Sequence, residues 1–208
     1  MTGRHTEMMK NLLLMIHNKG CFYALASGIL LFLSFPKYGS GIIAWIAFIP
    51  LFYSLKTAGY KDGVFAGFGT GFVFYIGIIY WIIHVVVKYG YQPLYVGVAA
   101  LILLVFYLSL YTALFGLGIV FSNKKGLPLY VSAPFIWTCL EYAKSQLFTG
   151  FPWENLGYSQ YANYYLVQLA DITGVYGISF VVVLINALLF EAVCNSGNRR
   201  VLIRLAVS

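Results

Sequence analysis

Long apolar runs broken by short polar punctuation dominate this chain. A helix that crosses a bilayer needs about 20 predominantly apolar residues. On that length scale the runs fall at 21–35, 41–55, 64–87, 94–121, 127–148 and 173–193. The pattern predicts an all-α, polytopic transmembrane helix bundle of about six spans, forming one domain over residues 1–208. The first two runs are short for a straight crossing, so they draw on flanking residues or lie where the bilayer thins. Between them Pro36, Lys37, Tyr38, Gly39 and Ser40 read as a turn, because proline removes a backbone donor and glycine tolerates positive φ. After a basic stretch, residues 201–208 are apolar again and look like the opening of a seventh span cut off by the chain end.

Composition sharpens this picture. Of 208 residues, 61% are hydrophobic and 9% charged, against about 25% charged in soluble domains. A soluble enzyme, a disordered tail and a nucleic-acid-binding module are thereby excluded. The 13 basic residues exceed the 6 acidic ones, but they lie between apolar runs, where such an excess orients a membrane protein. With a cytoplasmic N-terminus, ten of them fall on inner segments (Arg4, Lys10, Lys19, Lys56, Lys61, Lys124, Lys125, Arg199, Arg200 and Arg204). Only Lys37, Lys88 and Lys144 fall on outer ones. The N-terminal stretch resembles a secretory signal, yet His17, Asn18 and Lys19 interrupt its apolar core, so a retained first anchor is expected. Cys21, Cys139 and Cys194 have neither metal spacing nor a disulfide pattern, and are expected to be buried and inert.

The polar residues at membrane depth carry the candidate chemistry. Trp137, Glu141, Lys144 and Phe148 share one helix face, and Glu141 and Lys144 are spaced to pair. That pair reads either as a packing device or as a polar floor beneath whatever lies outside. His84, beside Trp81, reads as a hydrogen-bonded helix contact, since no serine or cysteine at readable spacing completes a triad. Asn186 reads as interhelical glue, and Glu191 is expected to meet Arg199 and Arg200. Gly63, Gly67 and Gly71 repeat every four residues, the spacing of a close helix–helix approach.

The outer loop 149–172 is the longest connection, TGFPWENLGYSQYANYYLVQLADI. Gly150, Pro152 and Gly157 restrict it to turns, while Trp153, Tyr158, Tyr161, Tyr164 and Tyr165 supply rings suited to a membrane–water interface. Anchoring explains those rings but leaves Glu154, Asn155, Ser159, Gln160, Gln168 and Asp171 between them without a purpose.

Here the chain resembles the membrane region of bacterial apolipoprotein N-acyltransferases. The resemblance runs in order through Ser34-Phe35-Pro36, Phe48-Ile49-Pro50-Leu51, Tyr80-Trp81 and Trp137-xxx-Glu141-xx-Lys144. It continues through Gly150-Phe151-Pro152-Trp153 and Gly157-Tyr158-Ser159-Gln160 to Gln168-Leu169-Ala170-Asp171 and Gly174-Val175-Tyr176-Gly177-Ile178-Ser179-Phe180. It implies a multi-pass protein of the bacterial inner membrane, N-terminus cytoplasmic. The implied enzyme moves an acyl chain from a phospholipid donor to the diacylglyceryl-cysteine of a lipoprotein. In that family a nitrilase-like domain after the seventh span supplies a Glu–Lys–Cys set whose cysteine forms a thioester. That domain is expected to be missing from this chain, which would then be inactive alone and depend on a separate nitrilase-like partner. No catalytic residue, metal or cofactor is assigned. The lipid-proximal positions that transfer are Trp153, Pro152 and Tyr158, with Glu141 and Lys144 beneath them. Lys144 stands where the family often has arginine, replacing a bidentate fork by a point charge.

Two other readings are open. A degenerate relative could bind lipid or act as a scaffold without catalysis. A small transporter suits six spans, but no paired broken helices or internal repeat marks a midplane site.

Overall fold

The computed structural model describes residues 20–194. Helix α1 spans Gly20–Leu33 and ends in the expected turn, where Gly39 N–H donates to Phe35 O and Ser40 N–H to Leu33 O. The next apolar run is not one helix. It forms a tight 3-10 turn, Gly41–Trp45, then the short α2, Ile49–Leu55, which has Pro50 in its first turn. Helix α3 covers Tyr60–Ile78. After a 52° bend it continues as α4, Ile82–His84, which widens into a π-turn at Val85–Tyr89. Then come α5, Leu94–Lys124, and α6, Leu129–Gln146. The loop beyond contains a 3-10 turn at Leu156–Gln160 and the single-turn α7, Tyr164–Val167. Helix α8, Ala170–Cys194, is broken near its start by Gly174 at φ +65°.

Every regular element among the described residues is helical, but fewer helices than expected have the dimensions of a span. By length and composition α5 and α8 can cross a membrane, and the bent pair α3–α4 makes a third if taken as one crossing. Helix α1 and the 41–55 segment are too short. Helix α6 reaches 18 residues but carries Ser132, Thr138, Glu141, Lys144, Ser145 and Gln146, which lower its hydropathy. The proposed seventh span, the signal-like stretch and the basic positions before residue 20 or after 194 lie outside the described residues.

Two devices hold the bundle together. Gly63, Gly67 and Gly71 of α3 face Gly116, Thr112 and Ser109 of α5. A β-carbon on Gly67 would overlap the Thr112 carbonyl, so only hydrogen allows the backbones this close. The second device repairs the break at residues 46–48. A buried backbone group without a partner costs about 1–3 kcal/mol, and side chains from two helices satisfy this one. Asn186 Oδ1 accepts from Phe48 N–H at 2.9 Å, and its Nδ2 donates to Ala44 O at 2.8 Å. Ser27 Oγ donates to Ala47 O. Asn186 is therefore the glue its sequence context indicated. The freed Phe48 ring packs edge-on against Trp137 and Phe115, with centroids at 4.7 and 5.8 Å.

Several expectations are corrected. Cys21 and Cys139 are exposed and Cys194 is half-buried, because they sit on outward faces of α1 and α6 and at the end of α8. His84 is exposed and meets the Tyr89 ring edge-on at 6.0 Å instead of a hydrogen-bonding helix. Apart from these corrections, Glu191 accepts from Leu129 N–H at 2.7 Å, placing its carboxyl on the donors at the start of α6; its expected meeting with Arg199 and Arg200 lies outside the described residues.

Candidate functional site

The end of α6 builds the site. Its face of Trp137, Glu141 and Lys144 points inward, and Lys144 is among the most completely buried side chains. Phe148 does not extend that face. The helix stops at Gln146, and Phe148, at φ +51°, turns out to 83% exposure. The i, i+3 spacing of Glu141 and Lys144 is used differently from a simple pair. Glu141 Oε1 accepts from Leu156 N–H at 2.7 Å, and Lys144 Nζ donates to Trp153 O at 3.3 Å. Each ionisable group thus holds a peptide group of the loop, three residues apart. Phe151 N–H, donating to Lys144 O at 2.9 Å, adds a backbone tie at the same place.

The loop is therefore bound from below. Gly157 N–H donates to Ser179 Oγ at 2.9 Å, and Gln160 Nε2 donates to Gly41 O at 2.7 Å. Asn155, Ser159 and Gln160 are buried, and of these Gln160 ties the loop to the bundle while its Nε2 also donates to Ser159 Oγ at 2.9 Å; the Asn155 amide has no hydrogen-bond partner among the described residues. Gln168 and Asp171 remain exposed. Glu154 adopts φ +61°, and burial pushes its carboxyl above the usual range, opposed by the nearby Lys144 charge.

Above this floor Trp153 is half exposed. Its ring lies 5.4 Å from Trp81, at the bend between α3 and α4, and 5.4 Å from Phe151. Pro152, its neighbour in the chain, and Tyr158 are also exposed. The Trp81–Trp153 contact joins residues 72 positions apart, and no spacing rule could have announced it. Beneath, Tyr75, Tyr111, Trp137, Glu141 and Lys144 line a small cavity of about 10 Å³, room for a single water. Glu141 Oε2 and Trp137 Nε1 have no hydrogen-bond partner among the described residues.

An all-helical, strongly apolar bundle with helices long enough to cross a bilayer has the character of a membrane protein. The family model for the apolipoprotein N-acyltransferase N-terminal domain matches residues 27–188. The apolipoprotein N-acyltransferase of Geobacter metallireducens is 45% identical over 170 residues, covering 82% of this chain and 33% of that protein. The Pasteurella multocida enzyme of the same name is 32% identical over 170 residues, 82% of this chain and 32% of its own length. Apolipoprotein N-acyltransferase 2 of Leptospira interrogans is 36% identical over 174 residues, 82% and 29%. The chain belongs to the apolipoprotein N-acyltransferase family, through its N-terminal domain. It spans about a third of the length of these curated relatives.

Proposed function

We propose that this chain is the transmembrane domain of an apolipoprotein N-acyltransferase, resident in the bacterial inner membrane with its N-terminus cytoplasmic. Its task is to present a phospholipid acyl donor, and then the diacylglyceryl lipoprotein, to a nitrilase-like catalytic domain. The observation that carries this reading is the half-exposed Trp153, set on a loop whose backbone is gripped by buried Glu141 and Lys144. Buried ionisable groups are costly at membrane depth. Spending two of them on one loop is reasonable where the loop's position matters to a ligand.

In this reading all six apolar runs lie within the membrane, the 41–55 segment as a half-length element supported from its sides by Ser27 and Asn186. Trp153, Pro152 and Tyr158 form the lipid-facing rim, while Glu141 and Lys144 are positioning residues. The chemistry itself is nucleophilic: a thiolate of the catalytic domain takes the acyl group from the phospholipid ester, releasing the lysophospholipid alcohol. The lipoprotein amine then attacks the thioester, forming the amide and returning the thiol. No cysteine of this chain is assigned that role. The test is reconstitution. The purified chain mixed with a family nitrilase-like domain should transfer acyl groups to a diacylglyceryl peptide. A folded, stably associated pair that forms neither thioester nor product would favour the alternative, a non-catalytic lipid-binding or scaffolding relative.

A further inference from the structure

The same end of the bundle carries a second polar feature that the clamp does not use. Lys37, in the turn after α1, is exposed, and its Nζ donates to Tyr80 Oη at 2.8 Å. The ammonium also lies 5.5 and 5.3 Å from the centroids of the Tyr38 and Tyr80 rings. Tyr80 immediately precedes Trp81, whose ring contacts Trp153. A cation and a phenol hydroxyl therefore stand at the residue next in the chain to the Trp81–Trp153 contact.

An ammonium has three donors, and the Tyr80 bond engages one. The hydrogen bond to Tyr80 and the neighbouring tyrosines hold the Lys37 pKa above the ordinary lysine value, so the charge persists at any physiological pH. Of the other lysines assigned to this side, Lys144 is buried and committed to the loop backbone. Lys88 stands over its neighbour Tyr89 at 5.9 Å, away from Tyr80 in the chain. Tyrosine and tryptophan rings sit at the headgroup level of a membrane interface, with one end apolar and the other wet.

We propose that Lys37 and Tyr80 form a phosphate-recognising site that receives the headgroup phosphodiester of the acyl-donor phospholipid, with its glycerol and acyl ester lying along Trp81 and Trp153. The Lys37 ammonium pairs with a non-bridging phosphate oxygen, and the Tyr80 hydroxyl orients that ammonium. This rests on the reading of the Trp153 loop as a lipid-facing rim, and it adds that the donor is chosen by its phosphate.

The experiment compares lipids retained by the full chain in detergent, quantified by native mass spectrometry. One arm offers phosphatidylethanolamine, a second a phosphate-free glucosyl diacylglycerol, and a third inorganic phosphate followed by phosphorus NMR. The chain should prefer the phospholipid, and Lys37→Gln should reduce its retention about two- to fivefold, the scale of one exposed charge pair. Tyr80→Phe should lower it less, Lys37→Arg should preserve it, and Lys88→Gln, an equal change in net charge, should leave it unaltered. Circular dichroism and melting temperature should be unchanged in all four variants. Equal retention of both lipids, or full retention by Lys37→Gln, would overturn the proposal. Saturable, Lys37-dependent binding of inorganic phosphate without lipid discrimination would give the site to free phosphate and overturn the headgroup assignment. Trp153→Ala separates the two readings. If it loses both lipids while Lys37→Gln loses neither, the rim stands and the phosphate site falls; if neither variant loses lipid, the rim reading fails as well.

Discussion

Glu141, buried in α6, accepts a hydrogen bond at 2.7 Å from the backbone N–H of Leu156, fifteen residues further along the chain. Removing the carboxylate leaves that buried donor unpaired and Lys144 without its nearest counter-charge. Glu141→Ala should therefore destabilise the chain by about 3 kcal/mol, read as a lowered melting temperature in detergent. Glu141→Gln keeps an acceptor and should cost less. An alanine variant as stable as wild type would show that the clamp holds nothing.

Trp153→Ala should weaken lipid retention several-fold while changing stability by less than about 1 kcal/mol, since half of the ring is already exposed. Lipid binding by native mass spectrometry and unfolding by circular dichroism, on the same sample, separate the two effects. Equal losses would make Trp153 a packing residue.

Neighbouring glycines of α3 should behave in opposite ways. Gly67→Ala drives a methyl into the Thr112 carbonyl, and overpacking of this kind costs about 1–3 kcal/mol. At Gly69 the nearest atom to an added β-carbon is Leu25 Cδ2 at 3.8 Å, so Gly69→Ala should be neutral or stabilising by up to about 1 kcal/mol. Thermal melts of the two variants check the contrast directly.

Glu154 supplies a pH dependence. Its folded pKa is raised by burial, so the folded state binds its proton more readily than the unfolded state does. Its contribution to stability must fall as pH rises, from about the ordinary glutamate value of 4.3 up through the raised folded value. Glu154→Gln should remove that downward slope. Melting temperatures measured across the acidic range, variant against wild type, reveal it, and parallel curves would rule it out.

Asn186→Leu retains size but abandons Phe48 N–H and Ala44 O. About 2–4 kcal/mol should be lost, and hydrogen exchange should accelerate at residues 44–48 rather than across the bundle. Uniform acceleration would mean that Asn186 supports global packing instead.

Much of this architecture was legible because membrane length and small-residue spacing are local signals. The runs that became α5 and α8, the Gly63–Gly67–Gly71 stripe, the Pro36–Ser40 turn and the role of Asn186 all follow from a few neighbouring positions. What was hidden depends on partners far apart in the chain. Residues 41–55 read as one apolar run because nothing local says that Ser27 and Asn186 will satisfy a broken backbone. Glu141 and Lys144 read as a pair because their spacing permits it; that each instead reaches a peptide group of the loop follows only from the loop's return path. Phe148 continued the face on paper, until a left-handed residue after Gln146 turned it outward. The cysteines were misjudged because an apolar run does not say which of its faces is inside.

The clamp has a consequence for how freely the loop can vary. Glu141 and Lys144 hold the N–H of residue 156 and the carbonyl of residue 153, atoms that nearly every amino acid provides. The grip does not depend on which side chain stands at 153, whereas Glu154, at φ +61° and near the Lys144 charge, is constrained. The side chain at 153 can be exchanged to suit a different ligand while the path of the chain stays fixed. A substitution the grip itself forbids is proline at position 156, which would remove the backbone hydrogen that Glu141 accepts.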